Sequence, residues 1–319
     1  MDAALEHIKG WLRERAGDLV ISQGCLAGLD IGSYGLRAMV ADLRSAALHC
    51  AEAPLPAGDA EATTAAAIAL LHGMFAQHGL APRSLARIGI GFGGPVDGPA
   101  GVTRLSFRQA GWERFPLAAR FEDAFDTPVL VDNDATVTAL AESRFGAGKH
   151  AQHLFYLHLS TGVGGGMVVN GRLYQGATTT AGEIGHAIVA RDAQGTRTLE
   201  DSVSLKALLR RLGELGAASN DLQAVFADTP PARQVVAEAA ELLGMTLSNV
   251  VALFDPHLIV VGGVVARTGG APFLQAIKTQ LDHFQPTAFG RSVPVVAATF
   301  GADSVVVGGL ALAMESLED

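Results

Sequence analysis

Near its start the chain carries Asp30-Ile31-Gly32-Ser33-Tyr34-Gly35-Leu36-Arg37, and near its middle Ser160-Thr161-Gly162-Val163-Gly164-Gly165-Gly166. Each is a glycine turn joining two apolar runs. Around the first, residues 26–31, 36–43 and 46–55 read as three antiparallel strands; around the second, residues 154–159, 163–170 and 172–174 read as three more. Alternating helices and strands follow each cluster. After the first come a helix over 61–78, a strand over 87–91, a helix over 117–125, a strand over 128–131 and a helix over 135–145. After the second come helices over 204–215 and 232–253, a strand over 258–262, a helix over 272–284, a strand over 293–297 and a closing helix over 303–316. The repetition predicts duplicated α/β halves with a cleft between them that both glycine turns face.

Composition narrows the class. A length of 319 residues suggests about two domains, and 49% hydrophobic residues exclude wholesale disorder. A net charge of −9 argues against nucleic acid as a partner, because phosphate neutralisation needs a basic surface. No apolar run approaches the roughly 18–20 residues of a membrane span. The first 20 residues read as one amphipathic helix through Leu5, Ile8, Leu12 and Leu19, acidic from the second residue and unlike a signal peptide. Cys25 and Cys50 are too few for a disulfide framework or a four-ligand metal cluster. These features predict a soluble cytoplasmic protein that does not contact a membrane. The 38 glycines, about 12% against a usual roughly 7%, follow no collagen period. Those at 32, 35, 89, 91, 93, 94, 162, 164, 165, 166, 262, 263, 308 and 309 read mostly as strand-end glycines facing the cleft.

Phosphate oxygens need several convergent N–H donors, and backbone without side chains approaches them most closely. The two glycine turns suit that role; two ordinary hairpins with glycine at positive φ are the alternative. In Val131-Asp132-Asn133-Asp134-Ala135 a strand ends and a helix starts. Asp132 or Asn133 reads as an N-cap, and a further carboxylate there is a candidate general base. In Ala181-Gly182-Glu183-Ile184-Gly185-His186 the acid and the imidazole share a face if the segment is helical. Such a pair suits polyol hydroxyls or a metal, but no second His or Cys follows at ligand spacing.

In this order the segments resemble the ROK family of bacterial sugar kinases and sugar-responsive repressors. The resemblance rests on residues 30–37, Gly89-Ile90-Gly91-Phe92-Gly93-Gly94-Pro95-Val96-Asp97, Gly111-Trp112 with Phe115-Pro116-Leu117, Asn133-Asp134-Ala135, residues 161–171, residues 181–186, and Asp255-Pro256 with Gly262-Gly263. It implies an α/β, actin/hexokinase-like (ribonuclease H-like) fold of two lobes. Residues 1–134 would form the N-terminal lobe, completed by a helix over 303–319, and residues 135–302 the C-terminal lobe. The implied activity is transfer of the γ-phosphoryl group of ATP, with Mg²⁺, to a sugar hydroxyl. Asp134 matches the catalytic base. Asn133, Glu183, His186, Glu200 and Gly94 match sugar contacts, and Asp30, Gly32, Ser33, Thr161, Gly162, Gly262 and Gly263 match nucleotide contacts. A homodimer is implied.

Three departures from the family pattern stand out. Ser33, Tyr34 and Gly35 replace the usual Gly-Thr-polar run of the first loop. No zinc-binding cysteine cluster separates His186 from Glu200, which predicts no structural zinc and a Glu200 loop held by packing. Residues 106–110 lack an asparagine often used for sugar contact and offer Arg108 or Gln109 instead. The alternative function is a non-catalytic sugar sensor or transcriptional regulator. Only about 25 residues precede the resemblance, too few for a helix-turn-helix domain, so DNA binding by this chain is not expected.

Overall fold

The computed structural model describes residues 6, 8–10, 24–32, 35–106, 109–192, 195–285 and 291–317. The chain divides into two compact units, Met1–Gly146 with Gln175–Thr180 and Ala302–Asp319, and Ala147–Tyr174 with Ala181–Gly301.

The first unit is built on a five-stranded sheet of β1 (Cys25–Ile31), β2 (Leu36–Asp42), β3 (Ala47–Ala53), β4 (Leu85–Phe92) and β7 (Val129–Asn133), ordered β3-β2-β1-β4-β7. The first three strands pair antiparallel and the rest parallel. Two elements absent from the sequence reading, β5 (Val96–Asp97) and β6 (Val102–Thr103), form a short hairpin whose two-residue strands are too brief to show a period. Strand alternation divides the sheet into two faces. Cys25, Ala27, Leu29, Ile31, Ile88, Ile90 and Phe92 join a core with α1 (Ala60–Gln77) and α2 (Leu117–Phe125). The other face meets the closing helix α8 (Ser304–Glu315), and there the contact is backbone to backbone. A Cβ on Gly89 would lie 2.0 Å from the carbonyl oxygen of Gly309, and one on Gly28 2.3 Å from that of Val306. Helix α3 (Asp134–Arg144) packs on α8 in the same way, since a Cβ on Gly308 would lie 2.3 Å from the Val137 carbonyl oxygen. This packing keeps α3 in the first unit, so the boundary falls after Gly146 rather than at 134. Gly89, Gly91, Gly308 and Gly309 therefore serve helix–sheet approach, not a ligand as the sequence suggested.

The second unit repeats the topology. Its sheet contains β8 (Leu154–Leu159), β9 (Val163–Val169), β10 (Arg172–Leu173), β13 (Leu258–Gly262) and β14 (Val295–Ala297), ordered β10-β9-β8-β13-β14 with the same antiparallel-then-parallel pairing. Helices α5 (Leu205–Glu214), α6 (Pro230–Phe254) and α7 (Gly263–Phe284) cover it. By length and composition α6 could cross a bilayer; here Val235, Ala239, Leu243 and Leu247 carry it into the core. Helix α7 starts nine residues earlier than the pattern suggested and kinks at Gly270 (φ 58°), so the glycines that read as a break are inside it. Both cysteines are free, Cys25 buried and Cys50 exposed.

The segment expected to be held by packing alone is an antiparallel hairpin, β11 (Ile188–Asp192) with β12 (Gly195–Thr198), leading into the one-turn helix α4 (Glu200–Val203). Reciprocal hydrogen bonds fasten it. The Asp201 carboxylate accepts from the Thr198 N–H (3.0 Å) and hydroxyl (2.7 Å), and the Asp201 N–H donates to that hydroxyl oxygen (3.2 Å). This is a capping box. Among the described residues no three His, Cys, Asp or Glu side chains are grouped to hold a metal.

Two outcomes follow from these contacts. Gly89→Ala should cost on the order of 3 kcal/mol in denaturant unfolding, since backbone must move. Gly73→Ala, on the exposed face of α1 with nothing within 4 Å, should instead gain about 1 kcal/mol. The Thr198 backbone N–H, then its hydroxyl, holds the Asp201 carboxyl below its usual value. A carboxyl lowered in the fold contributes stability above its unfolded pKa of about 4, lost as pH falls through the folded value. Protection factors over residues 188–198, taken relative to the intrinsic exchange rate at each pH, should therefore fall in acid for the native chain, whereas Asp201→Asn should be less protected at pH 7 and change little in acid.

Candidate active site

In the first unit, alternation sends Leu26, Gly28 and Asp30 of β1 toward α8. Gly28 meets the middle of that helix, so Asp30, two residues on, lies toward its start. Arg37, opposite Asp30 in the register of β2, donates through Nη1 to the Asp303 carboxylate at 2.9 Å, just before α8. Burial pushes the Asp30 carboxyl up to about 8; the Asp134 and Asp303 charges add to the rise and Arg37 opposes it. Its Oδ1 is fully shielded and has no hydrogen-bond partner among the described residues. Gly32 leaves room beside that oxygen, since a Cβ there would lie 2.5 Å from it. Ser33, assigned to the nucleotide by resemblance, lies outside the described residues, as do Tyr34 and Arg108.

Asp134 opens α3 directly after β7. Asn133 is the N-cap, its Oδ1 accepting from the Ala135 N–H at 2.9 Å, while its Nδ2 donates to the Gly94 carbonyl at 3.1 Å. Asp134 is half-buried and adds its own Oδ1 to the Ala135 N–H at 2.7 Å. A helix N-terminus favours negative charge there. The first unit thus brings together Asp30, Gly32, Gly94, Asn133 and Asp134. Gln109 is committed to packing instead: its Oε1 accepts from the Thr63 hydroxyl at 3.2 Å and the Trp112 indole at 3.4 Å.

In the second unit the turn between β8 and β9 is the gathering point. The Glu200 carboxylate accepts from the Val163 N–H at 2.8 Å, and a Cβ on Gly162 would lie 3.0 Å from the same oxygen. Glu200 and the Thr161-Gly162 loop are therefore one structure. Segment 181–186 lies flat on β9 because Gly185 has no side chain; a Cβ there would sit 2.1 Å from the Val163 carbonyl oxygen. Residues 184–186 form a single 3₁₀ turn, which sets His186 Nε2 4.0 Å from Glu183 Oε2, with His186 exposed. Gly262 and Gly263 open α7. Gly263 has φ 89°, and a Cβ on it would lie 2.1 Å from the Leu159 carbonyl oxygen, so the helix start abuts the strand that leads into Thr161. No side chain caps that helix. The second unit thus groups Thr161, Gly162, Glu183, His186, Glu200, Gly262 and Gly263.

Sequence reading missed several participants. Arg37 stands inside the quoted turn, but its partner Asp303 is remote in sequence. Buried Tyr156, whose hydroxyl lies 2.9 Å from His158 Nδ1, sits under Gly262 and read only as strand core.

A family model described as the ROK family matches residues 26–316. The glucokinase of Halalkalibacterium halodurans is 32% identical over 248 residues, covering 70% of this chain and 74% of that protein. The bifunctional enzyme NanE/NanK of Brucella suis is 30% identical over 306 residues, 95% of this chain; the chain spans about half (56%) of that enzyme. A xylose repressor of Caldicellulosiruptor bescii is 26% identical over 258 residues, 74% of this chain and 64% of the repressor. Among solved structures, a ROK hexokinase from Thermus thermophilus superposes with a TM-score of 0.80 at 28% identity, covering 92% of this chain and 99% of that one. A ROK family glucokinase from Streptomyces griseus, in complex with glucose and AMPPNP, gives 0.76 at 27% identity, covering 92% and 100%. The fold is the actin/hexokinase-like one of those enzymes, and with the family match spanning both sheets, this chain belongs to the ROK family.

Proposed function

We propose that the protein is an ATP-dependent sugar kinase that transfers the γ-phosphoryl group of ATP to a hydroxyl of a hexose or an N-acetylhexosamine. The observation that carries this reading is Asp134, a half-buried carboxylate at a helix N-terminus beside the capping Asn133. Asp134 takes the proton of the acceptor hydroxyl while that oxygen bonds to the γ-phosphorus, and the bond to ADP breaks. Glu183, His186, Asn133 and the Gly94 loop hold the other hydroxyls. A carboxylate accepts at both oxygens, so Glu200 can hold the loop through Oε2 and a hydroxyl through Oε1. The N–H groups of Thr161, Gly162 and Gly263, with Gly262, take the nucleotide. The shielded, unpaired Asp30 oxygen fits a divalent cation, and Asp30 would hold the Mg²⁺ that neutralises phosphate charge in such a transfer.

The match to a xylose repressor favours a second reading, a non-catalytic sugar sensor. A panel of hexoses and N-acetylhexosamines, assayed by thermal shift with and without ATP-Mg²⁺ and by ADP release, separates the two. Turnover on one sugar is expected; sugar binding without nucleotide binding would favour the sensor, and no response to any sugar would sink both. Asp134→Asn should lower kcat by about 10²–10⁴-fold while leaving sugar affinity largely intact. Asp30 gives a separate pH signature. A carboxyl raised in the fold contributes stability below its unfolded pKa, and that contribution is lost as pH rises through about 8. Without nucleotide, Asp30→Asn should gain Tm relative to the native chain between pH 4 and 8 and match it in acid.

A further inference from the structure

Asp132, only 1% exposed, stands two residues before the proposed base. The sequence offered it as a cap, but Asn133 takes that role. Asp132 Oδ1 accepts from the Asn133 N–H at 2.7 Å, and Oδ2 accepts from Gln175 Nε2 at 2.6 Å. Burial raises its carboxyl, and these two bonds oppose the rise. A buried carboxylate is costly unless such bonds satisfy it.

Gln175 begins the segment Gln175–Thr180, which the first unit takes between two stretches of the second. Two further bonds fix this strap. The Thr179 hydroxyl shares its proton between the Thr178 carbonyl at 2.7 Å and the Val96 carbonyl at 3.2 Å, and Arg104 Nη2 donates to the Thr178 carbonyl at 3.3 Å. Thr179 holds φ 58°, a conformation that costs a non-glycine residue and persists only under such restraint. Gly98 lies over this half-buried pair, where a Cβ would be 3.5 Å from Gln175 Nε2 and 3.9 Å from Asp132 Oδ2. Directly after Thr180 the chain enters residues 181–186, which carry Glu183 and His186.

We infer that Asp132 and Gln175 are positioning residues for the acceptor sugar: their hydrogen bond locks strap 175–180, so that the sugar-binding stretch 181–186 departs from a point fixed to the strand end that carries Asn133 and Asp134. The inference rests on the sugar-kinase reading. It makes a carboxylate outside the reacting groups fix the entry to the hydroxyl ligands, and it assigns the strap to the acceptor rather than to the nucleotide.

The test uses the full chain and the sugar that the panel selects. Gln175→Glu sets two carboxylates against each other, and adding Asp132→Asn restores the bond with donor and acceptor exchanged. Gln175→Glu should raise the sugar KM about tenfold, the scale of a hydrogen bond to a charged group. The ATP KM and kcat should stay within about twofold, the split expected of an acceptor-positioning role. The double variant should recover most of the sugar KM. Hydrogen exchange over residues 175–180 should be faster in Gln175→Glu and slow again in the double variant. The inference is overturned if the strap loosens with no change in sugar KM, if the sugar and ATP KM rise together, or if the double variant is no better than the single. If the native chain turns over no sugar, the kinase reading fails. The exchange rates, with sugar affinity from calorimetry, then still decide whether the pair fixes the strap and whether that matters for sugar.

Discussion

The close approach of α8 to the first sheet is the constraint on which the first half-site depends. Ordinary helix–sheet packing interposes side chains. Here the Gly89 and Gly309 carbonyls face each other's Cα with no side chain between them. That seats the helix deep enough for Asp303, at its start, to pair with Arg37 and reach the field of Asp30. The same helix receives α3 through Gly308, and α3 presents Asp134. Burial raises the Asp30 carboxyl most, and the two carboxylates that add to the rise, Asp134 and Asp303, are carried by elements seated through Gly28, Gly89, Gly308 and Gly309. Gathering acidic groups demands a frame this stiff, because like charges push apart whatever is free to move.

The second unit solves a parallel problem around a turn. Three segments remote in sequence converge on residues 159–163: the start of α7 through Gly263, the 181–186 stretch through Gly185, and α4 through Glu200. Backbone contacts set the first two and a carboxylate sets the third. Glu200 therefore does structural work through Oε2, and the Thr198–Asp201 capping box keeps it in place. Hydrogen bonds here occupy the stretch where the wider family resemblance expects metal-bound cysteines.

Much of this was legible in sequence because it is local. The strand clusters show as apolar runs between glycine turns, and Asn133-Asp134 shows as a strand-to-helix junction whose capping residue is readable at once. The hairpin 188–198 was not legible, since its strands are short, mostly exposed and poor in alternation. The first turns of α7 were hidden because Gly269-Gly270-Ala271-Pro272 reads as a breaker, and the structure uses it as a kink. Fourteen of the glycines read mostly as cleft-facing, whereas Gly89, Gly91, Gly308 and Gly309 among them serve packing; both uses leave the same letter in the sequence.

What the sequence alone determined is the duplicated order of strands, turns and helices and the residue types placed at each strand end, because hydrophobic period and turn chemistry act over a few neighbours. Only the tertiary structure decided which of those residues meet. Asp303 joins Arg37, Gln175 reaches Asp132 and Glu200 clasps the Val163 amide across long stretches of chain. Such pairings depend on how closely backbones approach when the core packs, and no local pattern encodes that distance.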